Sequence, residues 1–131
     1  MIWSKNFGKP EPTTDRLPSR HEQVFLLSKS KNYHFDRGAL PSYAAGSVWQ
    51  IPPTGRSDHG ASFAERLVEP CILAGCPEGG TVLDPFGGAG TTGLVADQLQ
   101  RNAVLIELNP SYADMARKRI DVDAGMFGEV A

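Results

Sequence analysis

The stretch from Thr81 to Gly93, T-V-L-D-P-F-G-G-A-G-T-T-G, constrains this chain more than any other. Val82 and Leu83 read as the end of a buried strand, with Asp84 at its carboxyl end. Gly87, Gly88 and Gly90 follow, and a helical pattern starts near Thr91. A strand, a tight glycine turn and a helix N-terminus bring backbone close to a ligand. The next strand, Asn102 to Leu108 (N-A-V-L-I-E-L), carries a second acid, Glu107, at its end. The pair of strands and the helix between them form the β-α-β unit of a nucleotide-type site, with the second acid placed for ribose hydroxyls.

Two nucleotides compete for such a site. Gly88 to Gly93 is formally G-x-G-x-x-G, the dinucleotide fingerprint, and Glu107 stands about 20 residues on, where the ribose acid of that motif is expected. Asp84 argues the other way. A dinucleotide lays its anionic pyrophosphate over this turn, and a carboxylate about 4 Å from a phosphate costs on the order of 4 kcal/mol at an intermediate dielectric. A ligand with a cationic end gains from the same carboxylate. S-adenosylmethionine offers an ammonium, a sulfonium and a ribose, and so suits both acids.

The string D-P-F-G-G-A-G-T-T-G, followed by I-E-L-N-P-S-Y, resembles the amino-group DNA methyltransferases, which methylate the exocyclic amine of adenine or cytosine. In the circularly permuted (β-type) members the cofactor motif lies near the C-terminus, as it does here. The resemblance implies an α/β, Rossmann-like methyltransferase fold. It implies S-adenosylmethionine as cofactor, held by Asp84, Pro85, Phe86, Gly88, Gly90, Thr91, Glu107 and Asn109. The segment His59-Gly60-Ala61-Ser62-Phe63 resembles the family's other cofactor segment, at the methionine end, which adds His59, Ala61 and Phe63. Free N–H groups at the helix that follows would attract a carboxylate. The family commonly has proline after that phenylalanine; here Ala64 stands there. His59 is equally readable as a plain loop histidine.

One family element is absent. The catalytic string is Asp, Asn or Ser followed by Pro-Pro and an aromatic residue, which holds the target amine and stacks on the flipped base. The single Pro-Pro, Pro52-Pro53, stands between Ile51 and Thr54 and offers neither an acceptor nor a ring. No catalytic residue is therefore assigned. The chain resembles the C-terminal part of such an enzyme, with the central catalytic strand expected to be missing. The strands near Trp3 and Leu26 would then face a gap. Unpaired buried strand groups cost about 1–3 kcal/mol each, so the isolated chain is expected to be marginal, to be completed by a second polypeptide carrying the missing string, or to close the gap differently.

The 131 residues make about one domain, short for a complete doubly wound sheet. A net charge of -2 gives no overall footprint for DNA. Lys5, Lys9, Arg16, Arg20, Lys29, Lys31 and Arg37 form either a local basic face or a solvated loop surface. Cys71 and Cys76 lack metal spacing and read as reduced thiols of a cytoplasmic protein, with no metal. No apolar run is long enough to cross a membrane.

Taken in order, the chain divides into residues 1–36 (part of the methyltransferase sheet), 37–58 (a shortened target-recognition or linker loop), 59–121 (the cofactor-binding unit) and a tail over 122–131. Met1 to Ser4 ends a strand, and Lys5 to Arg20 is a proline-rich loop. Gln23 to Ser28 has strand length, and Tyr33 and Phe35 alternate as a returning strand. W-S-K-N and the segment around His21 and Glu22 resemble the family's stretch after its catalytic strand; a structural hydrogen-bonding role is assigned to His21. Ser47 to Ile51 is a short strand. Ala64 to Gly75 is an amphipathic helix with Phe63, Leu67 and Cys71 on one face and Val68 and Ile72 repeating beside them. Pro70 kinks or restarts it, and Gly75 caps it. Thr91 or Thr92 caps the next helix, whose buried side is Leu94, Val95 and Leu99. Asn109 and Pro110 open the last helix, with Tyr112, Met115, Ala116 and Ile120 inward. Arg117, Lys118 and Arg119 suit the dipole of its last turns, with phosphate contact as a second use.

The leading expectation is a DNA methyltransferase portion acting on double-stranded DNA with a flipped base, of the kind found in restriction–modification. The second is a non-catalytic S-adenosylmethionine-binding remnant or interaction module. The third is an NAD-dependent oxidoreductase.

Overall fold

A computed structural model describes residues 1–5, 14–52 and 63–124. The element order is β1 (Ile2–Ser4), β2 (His21–Gln23), a 3-10 turn (Ser42–Ala44), β3 (Val48–Gln50), α1 (Glu65–Gly75), β4 (Thr81–Asp84), α2 (Thr91–Gln98), β5 (Asn102–Leu105) and α3 (Pro110–Ala124). The strands form two sheets: a three-stranded one, ordered β2-β1-β3, and a two-stranded one, β4-β5.

In the first sheet β1 runs antiparallel to β2, with Trp3 opposite Glu22, and parallel to β3, with Trp3 opposite Trp49. Strands this short hold through their side chains. Trp3, Ala44, Trp49, Ile51 and Ala64 make one core, with Val24, Tyr43 and Leu67 against it. Both indole N–H groups are satisfied: Trp3 Nε1 donates to the Ile51 carbonyl at 2.7 Å, and Trp49 Nε1 to the Gly46 carbonyl at 2.9 Å.

The second sheet is parallel, with Asp84 opposite Leu105. Parallel strands are ordinarily covered on both faces. Here Val82 packs on Ile72, Val95 and Ala96, together with Val68 and Leu99, while Leu83 is 62% exposed. The expectation of a buried strand over Val82 and Leu83 therefore holds for one face only. Helix α1 joins the two cores, giving Leu67 to the first and Val68 and Ile72 to the second.

Several sequence expectations are corrected. The strand expected over Gln23 to Ser28 lies two residues earlier; Val24 still exchanges backbone bonds with Met1 at 2.8 and 2.9 Å, but Phe25 to Ser28 has no ladder, and Phe25 and Leu27 stand in solvent. Apolar strand composition needs a partner edge to become a strand, and among the described residues none lies there. Tyr33 and Phe35 likewise stay outside any strand. Strand β5 stops at Leu105, so Glu107 lies two residues beyond it. Pro70 sits inside an unbroken α1. Gly75 is its last helical residue, and the cap is Cys76 in extended conformation. The buried side of α1 is Pro70, Ile72 and Ala74, while Phe63 precedes the helix and Cys71 is exposed. Partial desolvation still pushes the Cys71 thiol pKa up, and both cysteines are free. Helix α3 runs to Ala124, past the expected end, so Arg117 to Arg119 do not lie in its last turn.

Candidate functional site

Two carboxylates and a glycine turn converge at the carboxyl ends of β4 and β5. Asp84 closes β4. Its Oδ1 accepts the Phe86 N–H at 2.9 Å, and its Oδ2 accepts the Thr92 hydroxyl at 2.5 Å. Glu107 follows β5. Its Oε2 accepts the Gly88 N–H and its Oε1 the Asn109 N–H, both at 2.8 Å. Each acid thus grips the turn between them through neutral donors. A carboxylate oxygen has two acceptor positions, so these four bonds leave each acid able to accept more. Among the described residues neither acid is in an ion pair.

The turn depends on its glycines. Gly88 has φ +52 and Gly90 φ +79, both left-handed. The Gly87 N–H donates to the Ile106 carbonyl at 2.9 Å, and Gly90 to the Gly87 carbonyl at 2.9 Å. A Cβ on Gly90 would lie 2.7 Å from Ala116 Cβ, so α3 rests directly on the turn. A Cβ on Gly88 would meet nothing closer than 3.9 Å, so the space over that residue is open.

Helix α2 starts from this turn with Gly90 as its N-cap and no side-chain cap bond. That overturns the expected capping by Thr91 or Thr92. A left-handed glycine already turns the chain into the helix, which frees both hydroxyls. Thr92 reaches back to Asp84, and Thr91 accepts Arg119 Nη1 at 3.0 Å. Both threonines are buried. At α3 the expectation holds: Asn109 Oδ1 accepts the Ser111 N–H at 3.0 Å, ahead of Pro110.

Asp84, Pro85, Phe86, Gly88, Gly90, Thr91, Glu107 and Asn109 all belong to this one cluster. Phe86 is 85% exposed at its rim and Pro85 is exposed beside it. Phe63 lies just before Ala64, the N-cap of α1, and is partly exposed. His59 and Ala61 lie outside the described residues. The roles of Thr92 and Arg119 are not legible in the sequence. The only signal is a hydroxyl pair placed just after a glycine, where capping is already supplied.

One groove reaches the cluster, and a second lies apart from it, between the first sheet and α1. The first, of about 440 Å³, runs along β5 under α3 from Arg101 and Asn102 to Gly88 and Glu107; of the two acids only Glu107 lines it. The other, of about 260 Å³, is apolar and lined by Phe25, Leu26, Phe35 and Trp49. No group of three or more His, Cys, Asp or Glu suited to a metal occurs among the described residues. Nor is any described helix long and apolar enough to cross a membrane.

A family model described as DNA methylase matches residues 1–118. The Type II methyltransferase M.SmaI of Serratia marcescens is 42% identical over 132 residues, covering 92% of this chain and 44% of that protein. The chain thus spans under half the length of that relative. Among solved structures, a PvuII DNA methyltransferase, cytosine-N4-specific, superposes with a TM-score of 0.81 at 23% identity, covering 92% of this chain and 49% of that one. At that identity the likeness shows the fold alone. A structure of M1.HpyAVI in complex with SAM superposes with a TM-score of 0.63 at 26% identity, over 92% of this chain and 60% of that one.

Proposed function

The chain belongs to the DNA methylase family, and from that premise we propose that it is the cofactor-holding, C-terminal part of a permuted S-adenosylmethionine-dependent DNA amino-methyltransferase. The observation that carries this reading is the pair Asp84 and Glu107, two carboxylates on either side of a left-handed glycine turn, with no paired cation among the described residues.

The residues present fit that cofactor. Among the described residues both acids keep acceptor positions free, nothing fills the space above Gly88, and no Lys or Arg is paired with either acid to compete with a cationic ligand. Asp84 would hold the ammonium end and Glu107 the ribose hydroxyls. Phe86 offers an exposed ring for the nucleoside, and Asn109 and Pro85 complete that side. Gly88, Gly90 and Thr91 allow close approach of backbone. The segment with His59, Ala61 and Phe63, leading into α1, would face the methionine carboxylate. When bound, the cofactor supplies a methyl group on a cationic sulfur, and the acceptor would be an exocyclic amine of adenine or cytosine on a base flipped from double-stranded DNA.

Holding that amine requires an Asp/Asn/Ser-Pro-Pro-aromatic string, which this sequence lacks. We assign that part of the reaction to residues outside the 131, carried by a second polypeptide or by a longer version of this one. The separation of β2-β1-β3 from β4-β5 is consistent with a missing strand between them. The same absence favours a second reading, a non-catalytic S-adenosylmethionine-binding remnant.

The test is calorimetric titration of the purified chain with S-adenosylmethionine, with NAD as control. Saturable binding of the first alone is expected. Tight NAD binding without a response to S-adenosylmethionine would overturn the reading. Methyl transfer on addition of a polypeptide bearing the missing string separates the enzyme portion from the remnant, and transfer by the chain alone would refute the assignment of the amine-holding string.

A further inference from the structure

Arg119 joins the two segments on which the proposed cofactor site rests. Its Nη1 donates to Thr91 Oγ1 at 3.0 Å and to the Ala89 carbonyl at 3.4 Å. Its Nη2 donates to Glu65 Oε1 at 2.6 Å. Ala89 lies between the two left-handed glycines, and Thr91 is the buried first residue of α2. Glu65 is the first residue of α1, two positions after Phe63. A single guanidinium therefore spans the glycine turn and the start of α1, a use that its rigid fork of donors permits and an ammonium does not. Ala116, three residues before it on the same helix, is the atom group against which Gly90 packs. The dipole explanation for this arginine does not hold, because α3 continues through Asp121 and Asp123 to Ala124.

We propose that Arg119 is a positioning residue, paired with Glu65, which fixes the start of α1 relative to the glycine turn so that both segments meet S-adenosylmethionine together. The inference rests on the cofactor reading above. If the clasp works in this way, its loss falls on the methionine end of the ligand, which faces the start of α1. The nucleoside end, facing Glu107 and Phe86, keeps its contacts. A merely structural arginine would lower stability without separating the two ends.

The experiment compares binding of S-adenosylmethionine with that of 5′-methylthioadenosine, which shares the nucleoside and lacks the methionine carboxylate and ammonium. Titrations are run on the full chain and on Arg119→Met, Glu65→Gln and the double variant, below their melting temperatures. Each single variant is expected to weaken S-adenosylmethionine by about tenfold, or 1.4 kcal/mol, and to leave methylthioadenosine unchanged. The double variant is expected to be no weaker than Arg119→Met, because the two side chains act as one unit. Arg119→Lys should fall between, since it can reach one partner but not both. Should Arg119→Met already be unfolded at the temperature of the titration, Glu65→Gln carries the test, as it keeps the bulk of a half-exposed side chain. Equal weakening of both ligands, or of neither, in a chain that binds S-adenosylmethionine would overturn the positioning role alone. Failure of the unsubstituted chain to bind S-adenosylmethionine would remove the cofactor reading and this role with it.

Discussion

Gly90 is held by two constraints at once. Its φ of +79 is a conformation that L side chains rarely adopt, and a Cβ there would lie 2.9 Å from Ala116 Cα. Neither constraint can be relieved by a rotamer change, because the obstacle is backbone. Gly90→Ala is therefore expected to cost about 2 kcal/mol or more, from left-handed strain and overpacking together. Gly75 is the opposite case: it is helical, and a Cβ would meet nothing within 4 Å. Gly75→Ala should stabilise by roughly 0.5–1 kcal/mol. Urea unfolding of the two variants checks both signs. A Gly90→Ala midpoint at or above that of the parent would show that α3 is not seated on the turn. At this scale the sequence is informative about Gly90, Asp84 and Glu107, because a glycine pattern and acids at strand ends are local signals. It is silent about Thr92 and Arg119. Their partners, Asp84 and Glu65, lie 8 and 54 residues away, and the choice among partners is made by packing.

Helix α1 shows how an element can defeat a sound local rule. Pro70 has no N–H, so the Arg66 carbonyl, four residues earlier, loses its helical donor. The helix nevertheless runs unbroken, and the Tyr43 hydroxyl lies 3.1 Å from that carbonyl, its one proton shared between the carbonyl and a carboxylate of the same helix. The same hydroxyl is 2.5 Å from Glu69 Oε2, and the Arg66 guanidinium lies over the ring, 4.1 Å from its centre. Burial first, then the Glu69 carboxylate, push the Tyr43 pKa up to about 12 from the ordinary 10. The sign follows from linkage. Below pH 10 the phenol is protonated in both states. From pH 10 to about 12 the unfolded chain ionises while the folded one resists, so this group's contribution is lost as pH rises through that window. Tyr43→Phe should cost about 1 kcal/mol at neutral pH, through loss of the hydroxyl shared by Glu69 and the Arg66 carbonyl, and should lack that alkaline loss. The comparison is the difference in urea midpoint between variant and parent, measured at neutral pH and again near pH 11. A gap that stays constant across that range would show that the hydroxyl is not held as described. Sequence alone points to a kink at Pro70, since nothing local reveals that a tyrosine 27 positions upstream reaches the carbonyl.

Over the whole molecule, the β-α-β-α unit from Thr81 onward is legible in the order and kind of its elements, because turn and period are short-range rules, but not in the α2 cap or the ends of β5 and α3. The region before it is legible in content but not in register. Phe25 to Leu27 has the composition of a strand and, among the described residues, lacks an edge to join, and Leu83 and Ile106 have the composition of a core and lie more than half exposed. These are the marks of surfaces suited to being covered. Burying a Leu, Ile or Phe side chain fully contributes about 1.5–3 kcal/mol at most. Covering Phe25, Leu27, Leu83 and Ile106 would then add roughly 6–12 kcal/mol as an upper bound, comparable to the entire stability of an ordinary domain. The isolated chain is accordingly expected to bind a hydrophobic dye under native conditions and to unfold with low cooperativity. Addition of a polypeptide carrying the remainder of a methylase fold should quench the dye signal and sharpen the transition. Amide exchange along β4, whose only partner among the described residues is β5, should slow on that addition. A sharp melt with no dye binding, in the chain by itself, would mean that these faces are stable in water and that the two sheets need nothing between them.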